Sequence, residues 1–231
     1  MMKTNILLIA CGMIQDEITL ALKNTGISYD TVWMSSDLHT NPDFLRIELQ
    51  IEIDKHQDYE MILLAYGNCG KGLVGIFSEK TKLAFLRSED CIQMLLHKNK
   101  KLKGLRGETF FITKAWMQGK KSLREEYHYA ISKYGSRRAA IIMEIMFKNH
   151  KSLMMVDSGA YELENWIHCA RHLSQVLKLE FCVTQGDVEL LEMFVSLNWD
   201  HQVVVIPPKH EISVDDFGIN CSVTGYENEI D

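Results

Sequence analysis

Residues 63–72 read LLAYGNCGKG. Four consecutive small or apolar side chains run into a turn built on Gly67, Gly70 and Gly72, with a thiol, Cys69, between Asn68 and Gly70. Unbroken apolar runs fit strands covered on both faces, as in parallel sheets, whereas half-solvated strands alternate. NILLIACG (5–12) repeats this pattern, an apolar run ending in a cysteine and a glycine. Working outward, SYDTVWMS (28–35), KLAFLRSEDC (82–91), ETFFITKAW (108–116), SLMMVDSGAY (152–161), LEFCVTQGD (179–187) and QVVVIPP (202–208) read as further strands. Between them lie helical stretches. QDEITLALKNTG (15–26) has acids in its first turn and a closing glycine, and Asn41-Pro42 opens the stretch 41–57. Segments 122–135, 136–150, 164–178 and VELLEMFVSLN complete the set.

Strands alternating with helices predict an α/β fold with mostly parallel sheet and helices on both faces. The halves predict two doubly wound lobes, 1–107 and 108–210, or one larger mixed sheet. An acidic, aperiodic surface extension is expected over 211–231.

The 231 residues carry a formal charge of -6 and are 46% hydrophobic. That composition supplies a sizeable core and argues against nucleic acid as a partner. HKNKKLKGLR (97–106) reads as a solvated basic loop. The apolar run near the start is too short for a signal peptide or a membrane span, and no stretch approaches the ~18 apolar residues a span needs. A cytoplasmic location with no membrane partner is therefore expected. The six cysteines, not spaced as a disulfide framework, are expected to be reduced.

Ligands of parallel α/β folds bind beyond the carboxyl ends of strands. Cys11, Cys69 and Cys91 all sit there, whereas Cys169 and Cys182 fall inside elements and read as core fillers; Cys221 is in the tail. Three thiolates in one crevice suit zinc or an iron–sulfur cluster with another fourth partner. Gly67, Asn68 and Gly70 permit close backbone approach to a small-molecule ligand, and GNCGKG is not a P-loop. Arg87, Asp90, Lys114, Trp116 and Asp157 complete the candidate binding set. Each has a plainer alternative: a surface pair for Arg87, a helix cap for Asp90, a lobe interface for Trp116, and a turn for Asp157 with Tyr161. His168 and His172, four apart, lack the acid of HExxH and read as surface residues.

LIACGMIQDEI (8–18), LLAYGNCGKGLVGI (63–76), LRSEDCIQMLL (86–96), TFFITKAW (109–116), MVDSGAY (155–161) and GDVELLEMFVSLNWD (186–200) occur in order. Together they resemble a family of uncharacterised α/β proteins, a domain of unknown function. Its members come mainly from anaerobic archaea and bacteria and are often encoded beside corrinoid-dependent methylamine methyltransferases. The resemblance implies family positions at Cys11, Gly67, Cys69, Gly70, Arg87, Asp90, Cys91, Trp116 and Asp157. It also implies a proline and a histidine where this chain has Leu86 and Glu89. It further implies a one-carbon or corrinoid context, with a corrinoid protein or methyltransferase as partner. The expected function is a metal-dependent enzyme or accessory protein of methyl transfer. The alternatives are a non-catalytic protein binding a metabolite or corrinoid in the same crevice, and an interaction protein with inert thiols.

Overall fold

The computed structural model describes residues 5–118 and 122–218. The expected α/β class holds: there is a five-stranded, mostly parallel sheet and a three-stranded parallel sheet, both flanked by helices. The first sheet begins with β1 (Ile6–Cys11), β2 (Asp30–Met34), β3 (Met61–Ala65) and β4 (Lys82–Leu86). Leu8, Ile9 and Ala10 of β1, and Ile62 to Ala65 of β3, have no exposed surface. Both strands are central, which is why their sequences do not alternate.

Helix α1 (Gln15–Thr25) starts and ends where its charges and Gly26 predict. Helix α2 (Pro42–Lys55) is capped by Asn41, whose side chain accepts from the Asp43 and Phe44 amides. It buries Leu45, Leu49 and Ile53 at fourfold spacing and leaves Phe44, Ile47 and Ile51 exposed. After β4 come the short helices α3 (Cys91–Leu95) and α4 (Leu102–Leu105). Cys91 therefore opens a helix; β4 ends at Leu86, five residues earlier than the expected strand end, because Ser88 to Asp90 turn the chain.

The second sheet comprises β5 (Thr109–Ile112), β6 (Ser152–Asp157) and β7 (Glu180–Gln185), paired in that order. An α5 (Leu123–Tyr134) and α6 (Ser136–Met146) hairpin joins its first two strands, and α7 (Glu164–Leu177) the last two. This sheet has its own core around Ile112, Leu153, Met155, Ala170 and Leu173.

The chain then returns to the first sheet. Helix α8 (Glu189–Val195) packs on α1, and β8 (Val203–Ile206) pairs antiparallel with β4. The first sheet thus has the order β2-β1-β3-β4-β8. Sequence alternation gave no sign that the last strand would run the other way. Residues 211–218 also differ from the expected surface extension. Ile212 exchanges backbone hydrogen bonds with Gly75 and Ile76, and Phe217 packs on Phe85 with ring centres 5.0 Å apart. Both side chains are buried because they cover the β4–β8 edge. Cys221 lies outside the described residues, as does the rest of the expected extension. No helix among the described residues is long and apolar enough to cross a membrane.

Candidate functional site

The carboxyl ends of β1, β3 and β4 are laced together by their backbones. Gly67 lies so close to the next turn that a Cβ there would meet Ser88 O at 2.8 Å and Asp90 N at 2.9 Å. This approach lets the Asn68 amide donate to Ser88 O and the Cys69 amide to Glu89 O, both at 2.8 Å. Cys69 itself is left-handed, with φ 46°. A side chain in that region is strained and is held by its surroundings. The turn thus holds Cys69 against the turn that follows β4.

Cys11, Cys69 and Cys91 are brought within electrostatic reach of one another. Tyr66, 2% exposed, lies against Cys11 and Cys69. Burial is the main reason all three thiols are harder to ionise: Cys11 is pushed up to about 11, and Cys69 and Cys91 are raised as well. Residues Cys69 and Cys91 retain some surface, yet protein atoms crowd their thiols and desolvation dominates. Neighbouring Asp90 raises both further. The Tyr66 hydroxyl and Asn68 Oδ1 are buried without a well-formed hydrogen bond. Such groups are rare in folded proteins and mark places where a ligand or water completes the pairing. As the side chains stand, no three His, Cys, Asp or Glu among the described residues form a ready ligand set for a metal ion.

The opposite wall joins the start of α1 to residues that follow β5 and β6 of the second sheet. Glu17, in the first turn of α1, is 2% exposed and accepts from Ser158 Oγ at 2.9 Å. Burial is the largest cause that raises its pKa. Its field reaches both Cys91 and Tyr161. Beside it Lys114 Nζ bridges Asp16 at 2.9 Å and lies 5.9 Å above the Trp166 ring. Tyr161 donates to the Val156 carbonyl. Sequence reading did not single out Asp16, Glu17, Tyr66 or Ser158. The position of Glu17 on an otherwise buried stretch of α1 was the available signal.

The other expected residues divide. Asp90 caps α3 by accepting from the Gln93 amide at 2.9 Å, and also holds Arg106 through two bonds of 2.6 and 2.8 Å. Arg106 belongs to the run expected to be a solvated loop. Lys100, Lys101 and Lys103 of that run are exposed as expected. Arg106 is instead drawn in by Asp90. Asp157 accepts from the Gly159 amide at 3.2 Å, the turn role foreseen for it. Arg87 is exposed and lies along the β8 side near Gly218, apart from the thiols. Its backbone amide donates to Gln202 O at 2.7 Å. Gly70 packs on Pro42 at the outer rim. Trp116 sits between the lobes, edge-on to His39 at 4.7 Å and to Phe110 at 5.4 Å. His168 and His172 are exposed.

No curated protein and no solved structure matches this chain. A family model described as a protein of unknown function (DUF1638) matches residues 33–195, which include Cys69, Cys91, Glu89, Asp90 and Trp116 but not Cys11. The match covers more than half of the 231 residues, and the chain therefore belongs to that family.

Proposed function

We propose that the crevice at the carboxyl ends of β1, β3 and β4 binds zinc or an iron–sulfur cluster through Cys11, Cys69 and Cys91. The protein would serve as an enzyme or accessory protein of one-carbon chemistry, in the methylamine and corrinoid setting that its family resemblance implies. The observation that carries the reading is the convergence of three desolvated thiols, with the Tyr66 hydroxyl against Cys11 and a buried, unpartnered oxygen on Asn68. Thiolates are the donors that soft and borderline metals prefer. The thiols do not form a closed set as they stand, so each must turn about its Cα–Cβ bond as metal binds. Such coupling of binding to local rearrangement is usual for metal sites. A bound zinc would supply Lewis acidity and hold a substrate thiol ionised. The chain's own part is to exclude water with Tyr66, to hold the Cys69 turn against Ser88 and Glu89, and to keep Glu17 at the far wall.

A second reading has its own support. Asn68 Oδ1 is buried without a hydrogen-bond donor whether or not the thiols ionise. It favours a polar metabolite, or a corrinoid substituent, bound without catalysis in the same crevice. Metal and acid-labile sulfide content of protein purified without oxygen separates the two. The metal reading expects about one metal or one cluster per chain in the wild type and its loss in Cys69→Ala, with Cys169→Ala unchanged. Absence of metal after anaerobic reconstitution would overturn it and leave the metabolite reading.

A further inference from the structure

A second cavity of about 350 Å³ opens between the lobes and contains no thiol. Its walls are mainly rings. His39 comes from the turn after β2, Phe110 from β5 and Trp116 from the turn after β5, while Phe147 and His150 follow α6. Phe110 is the hub: Trp116, Phe147 and His150 meet it edge-on at 5.4, 4.9 and 5.6 Å. His39 closes the chain of contacts against Trp116 at 4.7 Å. Edge-to-face pairs are directional, so they brace the walls and keep the space open. The exposed Glu126 of α5 stands at the rim.

Two of these lining residues carry a ring nitrogen that is buried without a partner, Trp116 Nε1 and His150 Nδ1, so each ring must turn slightly to present it to a guest. An indole N–H can only donate, so it requires an acceptor. An aliphatic guest would leave both atoms unpaired, and a flat guest matches the faces and edges of the rings. A flat ring with nitrogen in it satisfies both demands. The volume lies at the low end of the ~300–1,000 Å³ usual for small-molecule sites, which suits one or two fused rings.

We propose that this cavity binds a planar nitrogen heteroaromatic ring. A ring nitrogen accepts from Trp116 Nε1, His150 Nδ1 meets a second polar edge position, and an amino substituent points to the Glu126 carboxylate. The proposal is independent of the thiol site and stands if that site holds no metal. The same ring chemistry is carried by a free heterocycle and by a nucleotide, so both enter the test.

The test titrates adenine, quinazolin-4-amine, adenosine monophosphate and naphthalene into the full ¹⁵N-labelled chain and follows the indole N–H signals. Trp116→Phe identifies the Trp116 signal and removes the donor while keeping a ring. The expected result is a saturable downfield shift of the Trp116 signal with at least one of the nitrogen heterocycles, and none with naphthalene. A shift with adenosine monophosphate as well would show that a nucleotide can supply the ring. Calorimetry should show binding at least tenfold weaker in Trp116→Phe. Should that variant fail to fold, Glu126→Gln at the exposed rim should weaken quinazolin-4-amine but not unsubstituted quinazoline. The proposal is overturned if millimolar heterocycle leaves the Trp116 signal in place. It is equally overturned if naphthalene binds as tightly, or if Trp116→Phe or Glu126→Gln binds as the wild type does.

Discussion

Replacing Gly67 with alanine tests whether the thiol crevice depends on the close approach of two turns. An added Cβ would sit 2.8 Å from Ser88 O, 2.9 Å from Asp90 N and 3.0 Å from Asp90 Cα. Ordinary carbon contacts begin near ~3.5 Å, so the turns must part by about half an ångström. All three obstacles are backbone, which cannot rotate aside. Overpacking of this kind costs about 1–3 kcal/mol. Parting the turns also stretches the amide bonds from Asn68 to Ser88 O and from Cys69 to Glu89 O, each worth about 0.5–1.5 kcal/mol. These costs overlap, and the expected destabilisation is about 2–4 kcal/mol. For a chain of this length, ~2–4 °C is lost per kcal/mol, so the melting temperature should fall by roughly 4–16 °C. Circular dichroism melting of Gly67→Ala against Gly104→Ala is the assay. A Cβ on Gly104 meets nothing within 4 Å, and the alanine there should be neutral or stabilising by about 0.5–1 kcal/mol. A Gly67→Ala protein that melts within 2 °C of wild type, on the order of 1 kcal/mol or less, would refute the claim that turn contact assembles the crevice.

Asp90→Asn should keep the α3 cap but lose the pair to Arg106; because both side chains are partly exposed, the cost is about 1 kcal/mol in urea unfolding. Asp90→Ala should cost about 1 kcal/mol more through the lost cap, and equal values for the two variants would show that the cap contributes nothing. Glu17 has its pKa raised above the ordinary 4.5 by burial, so the folded protein keeps a proton that the unfolded chain has released. Stability should therefore fall as pH rises from near 4.5 through the folded-state value, and Glu17→Gln should flatten that fall; parallel pH profiles would sink the assignment. With the Cys11 thiol pushed up to about 11, its alkylation at pH 8 should be more than about 100-fold slower in the native protein than in urea, read by peptide mass mapping. Native and unfolded rates within tenfold would mean that Cys11 is not desolvated.

Much of this fold was legible because parallel strands write themselves plainly. The unbroken apolar runs 7–10 and 62–65 are buried on both faces, and the caps at Asn41 and Gly26 stand where the sequence places them. The direction of β8 was not legible, since VVVI carries no mark of what it will pair with. Neither was the fate of 211–218, where two apolar residues among acids decide the packing. The three cysteines were chosen as strand-end positions; Cys91 opens α3 instead, and the three lie within electrostatic reach of one another without forming a ready ligand set. Glu17 and Arg106 were missed because each acts through a partner distant in sequence, Ser158 and Asp90, and local pattern reports only neighbours. Arg87 was included for its place after a strand; its side chain is exposed and lies near Gly218.

The late return of the chain to its first sheet sets an order on biosynthesis. Strand β4 ends at Leu86, and the strand that covers its free edge begins at Val203. At ~5–20 residues per second, that edge waits roughly 6–23 s on the ribosome. Throughout that interval its amides and carbonyls form an open template for any extended chain nearby. The second sheet, contiguous from Thr109 to Gln185, is complete before the first one closes. A nascent chain stalled between α8 and β8 would have the cores of both lobes and one sticky border. Pairing of the closing strand with β4 removes that border.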